Sequence, residues 1–283
     1  MAGYRYVVCD VFTDTPLEGN QLAVFTDASL LPEQLMQRIA RELNLSETVF
    51  VLPPAGAGHA RIRMFTPTLE VPFAGHPTLG TAFVLATPLQ LEEIRLETGR
   101  GVIPVRLERD GHRLVFGRMA QPLPSVAAWE ETAGLLAALG VERSELPIEV
   151  YDNGIPHVYV CLGSEREVAR IEPDLAALRK LPGAAALGFN CFAGSGRRWK
   201  TRMFAPGGGV PEDPATGSAA GPLALHLARH GRIAFGDEIE ISQGVEVGRP
   251  STLYARVDGT PERLEAVEVG GSAVIVARGE FRL

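Results

Sequence analysis

No apolar run in this sequence approaches the roughly 18 residues that a membrane-spanning helix requires. Its first residues lack the charged-then-apolar layout of a secretory leader, so a cytoplasmic protein is expected. Positive charge is also short. Lys and Arg number 27 against 34 Asp and Glu, and the net charge of −7 leaves no basic stripe for nucleic acid. Cysteine is scarce: Cys9, Cys161 and Cys191 are odd in number and widely spaced. They read as small buried hydrophobes, not as a disulfide frame or a zinc knuckle. There is no Gly-x-Ser-x-Gly elbow, and no cysteine lies near a histidine in a nucleophile setting. The clusters Gly194-Ser195-Gly196 and Gly207-Gly208-Gly209 lack both the strand–GxGxxG–helix context and a following Lys-Ser/Thr, so no nucleotide cofactor is expected.

What is present is a repeat. Arg63-Met64-Phe65-Thr66-Pro67 is followed by Phe73-Ala74-Gly75-His76-Pro77 and an apolar run. Farther on, Arg202-Met203-Phe204-Ala205-Pro206 is followed by Asp213-Pro214-Ala215-Thr216-Gly217-Ser218 and another apolar run. A period of this size is that of a domain and too long for a solenoid, and 283 residues suffice for two such units. The expected division is 1–119, joined by a C-terminal strand at 271–283, and 120–270, with the active site in the cleft between them. Residues 120–126, with Pro122 and Pro124, read as the linker.

Each unit reads as many strands plus one helix without a polar face, 76–86 in the first and 219–228 in the second. Such a helix must be surrounded. An amphipathic helix is expected at 32–43, with further helices at 129–139 and 174–181. The strands come at hairpin spacing and outnumber the helices, so the fold class is α+β, a sheet wrapped round a central helix in each half.

Both apolar helices open on glycine, at Gly75-His76 and Gly217-Ser218. Glycine lets a ligand approach the backbone, and the first free N–H groups of a helix bind anions, carboxylates included. Ordinary capping could explain one such start; two in matching places point to a ligand. Glu47 stands between a helix end and an apolar strand, where a desolvated carboxylate can carry a proton, although an exposed surface glutamate has the same local sequence. Asp213 lies just before the second helix start, where the helix field favours negative charge and either capping or catalysis fits. His226 and His230 have metal-ligand spacing. The segment His226-Leu227-Ala228-Arg229-His230 lacks the glutamate of the zinc-peptidase motif and no third ligand is evident, so no metal is expected. His157 follows Gly154-Ile155-Pro156 at a strand start and reads as a satisfied structural histidine, with the cleft wall as the alternative.

Together these motifs resemble the PhzF family of the diaminopimelate-epimerase-like superfamily. The likeness runs from Tyr6 to the C-terminus through 18–20, 38–47, 73–80, 190–203, 213–231 and 243–250. It implies two pseudo-symmetric halves, each a mainly antiparallel barrel-like sheet around a helix, and a homodimer. In the epimerases of the superfamily a cysteine opens each helix start; here those positions are Ala74 and Thr216, so two-thiol racemisation is not available. The resemblance implies instead a cofactor-independent isomerase of phenazine biosynthesis. Such an enzyme converts trans-2,3-dihydro-3-hydroxyanthranilate to 6-amino-5-oxocyclohex-2-ene-1-carboxylate through a glutamate that maps onto Glu47. The substrate contacts map onto His76, Asp213 and Ser218, with Gly75 and Gly217 supplying backbone. Two alternatives stand beside it: an isomerase of another small amino or hydroxy acid, and a non-catalytic metabolite-binding protein.

Overall fold

Two stretches of this chain have no side suited to water, and the fold encloses both. In a computed structural model that describes residues 3–283, the helices are α1 (Glu33–Leu43), α2 (Gly75–Leu89), α3 (Thr132–Leu139), α4 (Glu165–Ala169), α5 (Leu175–Leu178) and α6 (Gly217–Arg229). Every residue of α2 from Gly75 to Val84 is buried, as is every residue of α6 from Gly217 to Ala228. The amphipathic α1 packs on the outside against Phe25, Phe50 and Phe65. Among the described residues no helix is long and apolar enough to cross a membrane.

Strands wrap the two buried helices in one continuous ribbon. From Ala273–Arg282 it passes through Gly3–Val11, Asn20–Phe25, Glu47–Leu52, Ala60–Phe65, Glu93–Thr98 and Gly101–Asp110 to Arg113–Ala120. That last strand pairs with Leu264–Gly271. The ribbon continues through Ser251–Gly259, Glu238–Gln243, Arg198–Ala205, Gly188–Ser195, Pro156–Cys161 and Glu149–Asp152 to Ser125–Ala128. The first run packs on α2 and the second on α6. From Gly3–Val11 and from Glu149–Asp152 the same succession of antiparallel and parallel pairs is read twice. The fold is α+β and mainly antiparallel.

The registers make the internal equivalence residue-specific. Met64 pairs with Val71 as Met203 pairs with Asp213. Thr48 pairs with Phe65 as Phe189 pairs with Phe204. Leu22 pairs with Glu47 as His157 pairs with Gly188. Glu47 therefore corresponds to Gly188, Leu22 to His157, Val71 to Asp213 and, through the helix starts, His76 to Ser218.

Several expected elements differ. The proposed linker is partly structured: Ser125–Ala128 forms an edge strand on Glu149–Asp152. The helix expected at 129–139 begins only at Thr132. That expected at 174–181 is shorter as an α-helix, Leu175–Leu178, after which tighter i→i+3 bonds from the Lys180 and Leu181 N–H groups carry the chain to Pro182. Strand Gly188–Ser195 and helix α4 escape the sequence reading. The strand is buried along Gly188–Ala193, so it shows no alternation, and the helix has only five residues.

The starts of α2 and α6 abut. A β-carbon on Gly75 would run into the Gly217 carbonyl carbon and the Ser218 nitrogen. One on Gly217 would lie 2.8 Å from Phe12 Cζ and 3.0 Å from the His76 nitrogen. Gly75→Ala is accordingly expected to destabilise the protein by at least the ~1–3 kcal/mol of an overpacked core. Thermal or urea unfolding checks this, and an unchanged midpoint would show that the helix starts can part at little cost.

Candidate active site

Where α2 and α6 meet, the sheet leaves a cavity of about 170 Å³ lined by Glu47, Gly75, His76, His157, Asp213, Gly217 and Ser218, with Val71, Ile155 and Leu187 on its apolar side. A dry cavity of ~150 Å³ accommodates benzene, so one small ring fits here. All six residues singled out from the sequence line this one space.

Each arrives by a definable local route. Helix α1 ends at Asn44, whose φ of 51° turns the chain back, so Glu47 becomes the first residue of the strand that runs parallel to Asn20–Phe25. Neither large helix is capped by its own N-cap side chain. Ala74 has none to offer, and the Thr216 hydroxyl donates instead to Asp213 Oδ2 at 2.6 Å. The unpaired N–H groups of both helix starts therefore face a common space, and two positive helix ends converge there.

Asp213 is fully engaged. Its Oδ1 accepts from Asn20 Nδ2 at 2.9 Å and from the Ser46 hydroxyl at 2.8 Å, while Thr216 holds Oδ2. Gln243 braces the same turn, donating to the Asp213 carbonyl and accepting from the Thr216 N–H. Burial raises the pKa of Asp213, against the pull of the bonds from Thr216, Ser46 and Asn20. Glu47 has no such set of donors. Burial, and then the nearby charge of Asp213, push its carboxyl well above the ordinary carboxylate range. Its Oε2 lies 3.4 Å from His76 Nε2, and burial pushes the His76 imidazole down to about 3, so the ring is neutral near pH 7. The cavity thus sets a densely hydrogen-bonded Asp213 beside a Glu47 whose pKa is raised and a neutral imidazole.

His157 takes the cleft-wall position that stood as the alternative. It lines the cavity, and its Nε2 is 2.9 Å from Ser218 Oγ. Asn20, Ser46, Thr216 and Gln243 also went unassigned. Asn20 follows a glycine at a strand start, which is a common turn signal; Asn20 and Ser46 meet Asp213 from far along the chain, and Gln243 meets the turn from 27 to 30 residues away, whereas Thr216 bonds to Asp213 within its own turn.

The three cysteines are free and buried, and burial raises each thiol's pKa. They behave as the small hydrophobes the spacing suggested. At the far end of α6 the structure supplies the third group that the sequence did not reveal beside His226 and His230: Glu149. Its Oε2 accepts from the Tyr151 hydroxyl at 2.7 Å and lies 2.9 Å from His230 Nε2 and 3.2 Å from His226 Nδ1. The Arg229 guanidinium stands 3.6 Å from Oε1. Burial raises the Glu149 pKa, but the bonds from His226, Tyr151 and His230 and the Arg229 charge outweigh it and hold the group below its ordinary range. This cluster is a tight polar network about two helical turns from Ser218.

A raised pKa in the folded state means that stability falls as pH climbs from the ordinary carboxylate value through the folded one. Glu47→Gln, which cannot ionise, is expected to raise the unfolding temperature by more at pH 8 than at pH 4. An equal or smaller gain at pH 8 would contradict the raised pKa.

The profile of a family described as phenazine biosynthesis-like protein, PhzC-PhzF, matches residues 9–279. A Pseudomonas aeruginosa protein named trans-2,3-dihydro-3-hydroxyanthranilate isomerase is 52% identical over 280 residues, covering 99% of this chain and 100% of that protein. The crystal structure of a Bacillus anthracis phenazine biosynthesis protein of the PhzF family superposes with a TM-score of 0.85 at 25% identity, covering 100% of both chains. A hydroxyproline epimerase from Agrobacterium vitis gives a TM-score of 0.66 at 12% identity over 98% of this chain and 92% of its own. That likeness is one of fold, the diaminopimelate-epimerase-like fold that the sequence motifs implied.

Proposed function

The chain belongs to the PhzC-PhzF family of phenazine biosynthesis-like proteins, and from that premise we propose that it is an isomerase acting on trans-2,3-dihydro-3-hydroxyanthranilate in phenazine biosynthesis. The observation that carries the reading is the pairing of one high-pKa carboxyl, Glu47, with the neutral His76 on one side of a cavity sized for a single ring.

The reaction moves one proton and two double bonds. Glu47 in its ionised form takes the proton from C3, the carbon bearing the hydroxyl. The electron pair shifts round the diene, and Glu47 returns the proton to C1. The product is an enol, which tautomerises to 6-amino-5-oxocyclohex-2-ene-1-carboxylate. Atoms and electrons balance within the substrate, and one base on one face suffices. A carboxyl whose pKa is raised is the stronger base toward carbon. The helix-start N–H groups at Gly75 and Gly217 and the Ser218 hydroxyl hold the substrate carboxylate. His76 and Asp213 orient the amino and hydroxyl groups and steady the shifting charge.

We take residues 1–119 with 271–283 as one half of the enzyme and 120–270 as the other, the substrate lying between them. The proposed setting is a cytoplasmic homodimer, which light scattering on the purified protein tests directly.

Turnover is followed as loss of the diene absorbance. Glu47→Gln is expected to lower kcat by about 10²–10⁴-fold, the range for a positioned acid–base group, while remaining folded. Near-normal turnover by that variant would remove Glu47 from the mechanism. The rising limb of kcat/KM against pH should lie above the ordinary carboxylate value of about 4.3, since the ionised form is the base. Asp213→Asn, which removes the neighbouring negative charge, should move that limb to lower pH. A limb that stays put would show that Asp213 does not act on Glu47 through charge.

A further inference from the structure

The internal equivalence of the two halves breaks at one place in the cavity, and the break has chemical content. The residue that corresponds to Glu47 is Gly188, which has no side chain to offer. The space above it is taken by His157 from the neighbouring strand: a β-carbon on Gly188 would stand 2.6 Å from His157 Nδ1 and 3.0 Å from Cε1. In the first half Glu47 reaches the second residue of α2, His76; in the second half His157 reaches the second residue of α6, Ser218. We propose that His157 is a positioning residue, which donates a hydrogen bond from Nε2 to Ser218 Oγ and so keeps the Ser218 hydroxyl as a donor aimed into the cavity. The inference rests on the cavity being the substrate site, as proposed above.

The hydrogen-bond pattern behind His157 fixes its direction. Asn190 Nδ2 lies 3.2 Å from the Gly188 carbonyl oxygen and 3.3 Å from that of Val158. Both are acceptors, so the amide must turn its NH2 toward them; the flipped amide would set oxygen against oxygen. The same NH2 lies 3.4 Å from His157 Nδ1. A hydrogen on Nδ1 would meet the amide hydrogens head-on, so Nδ1 is bare. His157 is 1% exposed, and burial pushes its pKa down to about 3, which keeps the ring neutral. A neutral ring with a bare Nδ1 carries its hydrogen on Nε2, and that hydrogen points at Ser218 Oγ.

Ser218 then has no call to spend its own hydrogen on the histidine. Oγ has no other side-chain or backbone partner among the described residues, so its O–H is free for a ligand. The opposite tautomer would reverse this. Ser218 would donate to Nε2 and turn lone pairs toward a substrate carboxylate, which repels them. The chain Asn190 → His157 → Ser218 thus sets an anion-accepting polarity at the start of α6. It also denies His157 the part of a proton acceptor, since an Nε2 that bears hydrogen cannot act as a base. The place that corresponds to Glu47 and His76 thus holds a pair of donors, His157 and Ser218, and no second base. That division suits a proton returned to the face it left, and not the two-base exchange of an epimerase.

Two measurements test the assignment. In the first, the unmutated protein with ¹⁵N-labelled histidine is examined by NMR from pH 5 to 9. The His157 ring should show a protonated Nε2 and a bare Nδ1 throughout; a hydrogen on Nδ1 overturns the proposal. The second is a double-mutant cycle on turnover of trans-2,3-dihydro-3-hydroxyanthranilate. His157→Phe keeps a ring above Gly188 and removes the donor. It should raise KM by roughly 10–100-fold, the scale of one hydrogen bond to a charged group, with kcat changed far less. Ser218→Ala should do the same, the double variant should be no worse than either single one, and His157→Gln, which restores an N–H, should recover part of the loss. Losses that multiply in the double variant, or an unaffected KM in His157→Phe, would show that His157 does not act through Ser218. If the unmutated protein fails to turn over this substrate, the proposed function fails, while the tautomer remains decided by the NMR spectrum.

Discussion

The meeting of two helix starts, backbone against backbone at Gly75 and Gly217, is the constraint on which the rest depends. Two positive helix ends repel each other, and side chains would normally keep them apart or cap them. Here neither N-cap side chain caps its own helix, and enclosure by the sheet on every side holds the helices in place. The arrangement concentrates unpaired N–H groups in a small, largely apolar space, a poor environment for itself and a good one for a carboxylate. Buried polar groups that lack partners inside the protein are costly, so a bound anion both satisfies them and inherits a fixed orientation.

Around that symmetric frame the chemistry is distributed unevenly. Of the four side chains that converge from corresponding places, Glu47 and His76 come from the first half and Asp213 and Ser218 from the second. Val71 and Gly188 occupy the positions that would have completed a symmetric set. Asp213 is saturated by donors, whereas Glu47 is not, and burial followed by the charge of Asp213 raises the Glu47 pKa. The two acids differ in their surroundings, although both are buried carboxylates within one cavity.

Much of this was legible in the sequence, for reasons that can be named. A helix without a polar face has a single fate in water, so 76–86 and 219–228 announced the two central helices. The repeated Arg-Met-Phe segments and glycine-led starts announced the duplication, and the resemblance carried Glu47, Gly75, His76, Asp213, Gly217 and Ser218 onto one site. What remained hidden depends on partners far apart along the chain. Asn20 meets Asp213 across 193 residues and Glu149 meets His226 across 77; neither pairing leaves a local signature. His157 was hidden because the feature that gives it a role is the missing side chain of Gly188 on the next strand. The strand at Gly188–Ser195 was hidden because burial removes the alternation by which strands are read.

The pairing of Gly3–Val11 with Ala273–Arg282 carries a consequence for how the molecule is made. Gly3–Val11 leaves the ribosome long before one of its two neighbours, Ala273–Arg282. Until that partner has been made, the earlier strand presents an unpaired edge, a template for unwanted pairing with other chains. The closing contacts span nearly the whole sequence, and long-range closure of this kind is slow. The sheet around α2 therefore cannot be completed before Ala273–Arg282 has been made, and a nascent chain stalled just ahead of that strand would hold almost every other element and still leave one edge of Gly3–Val11 open.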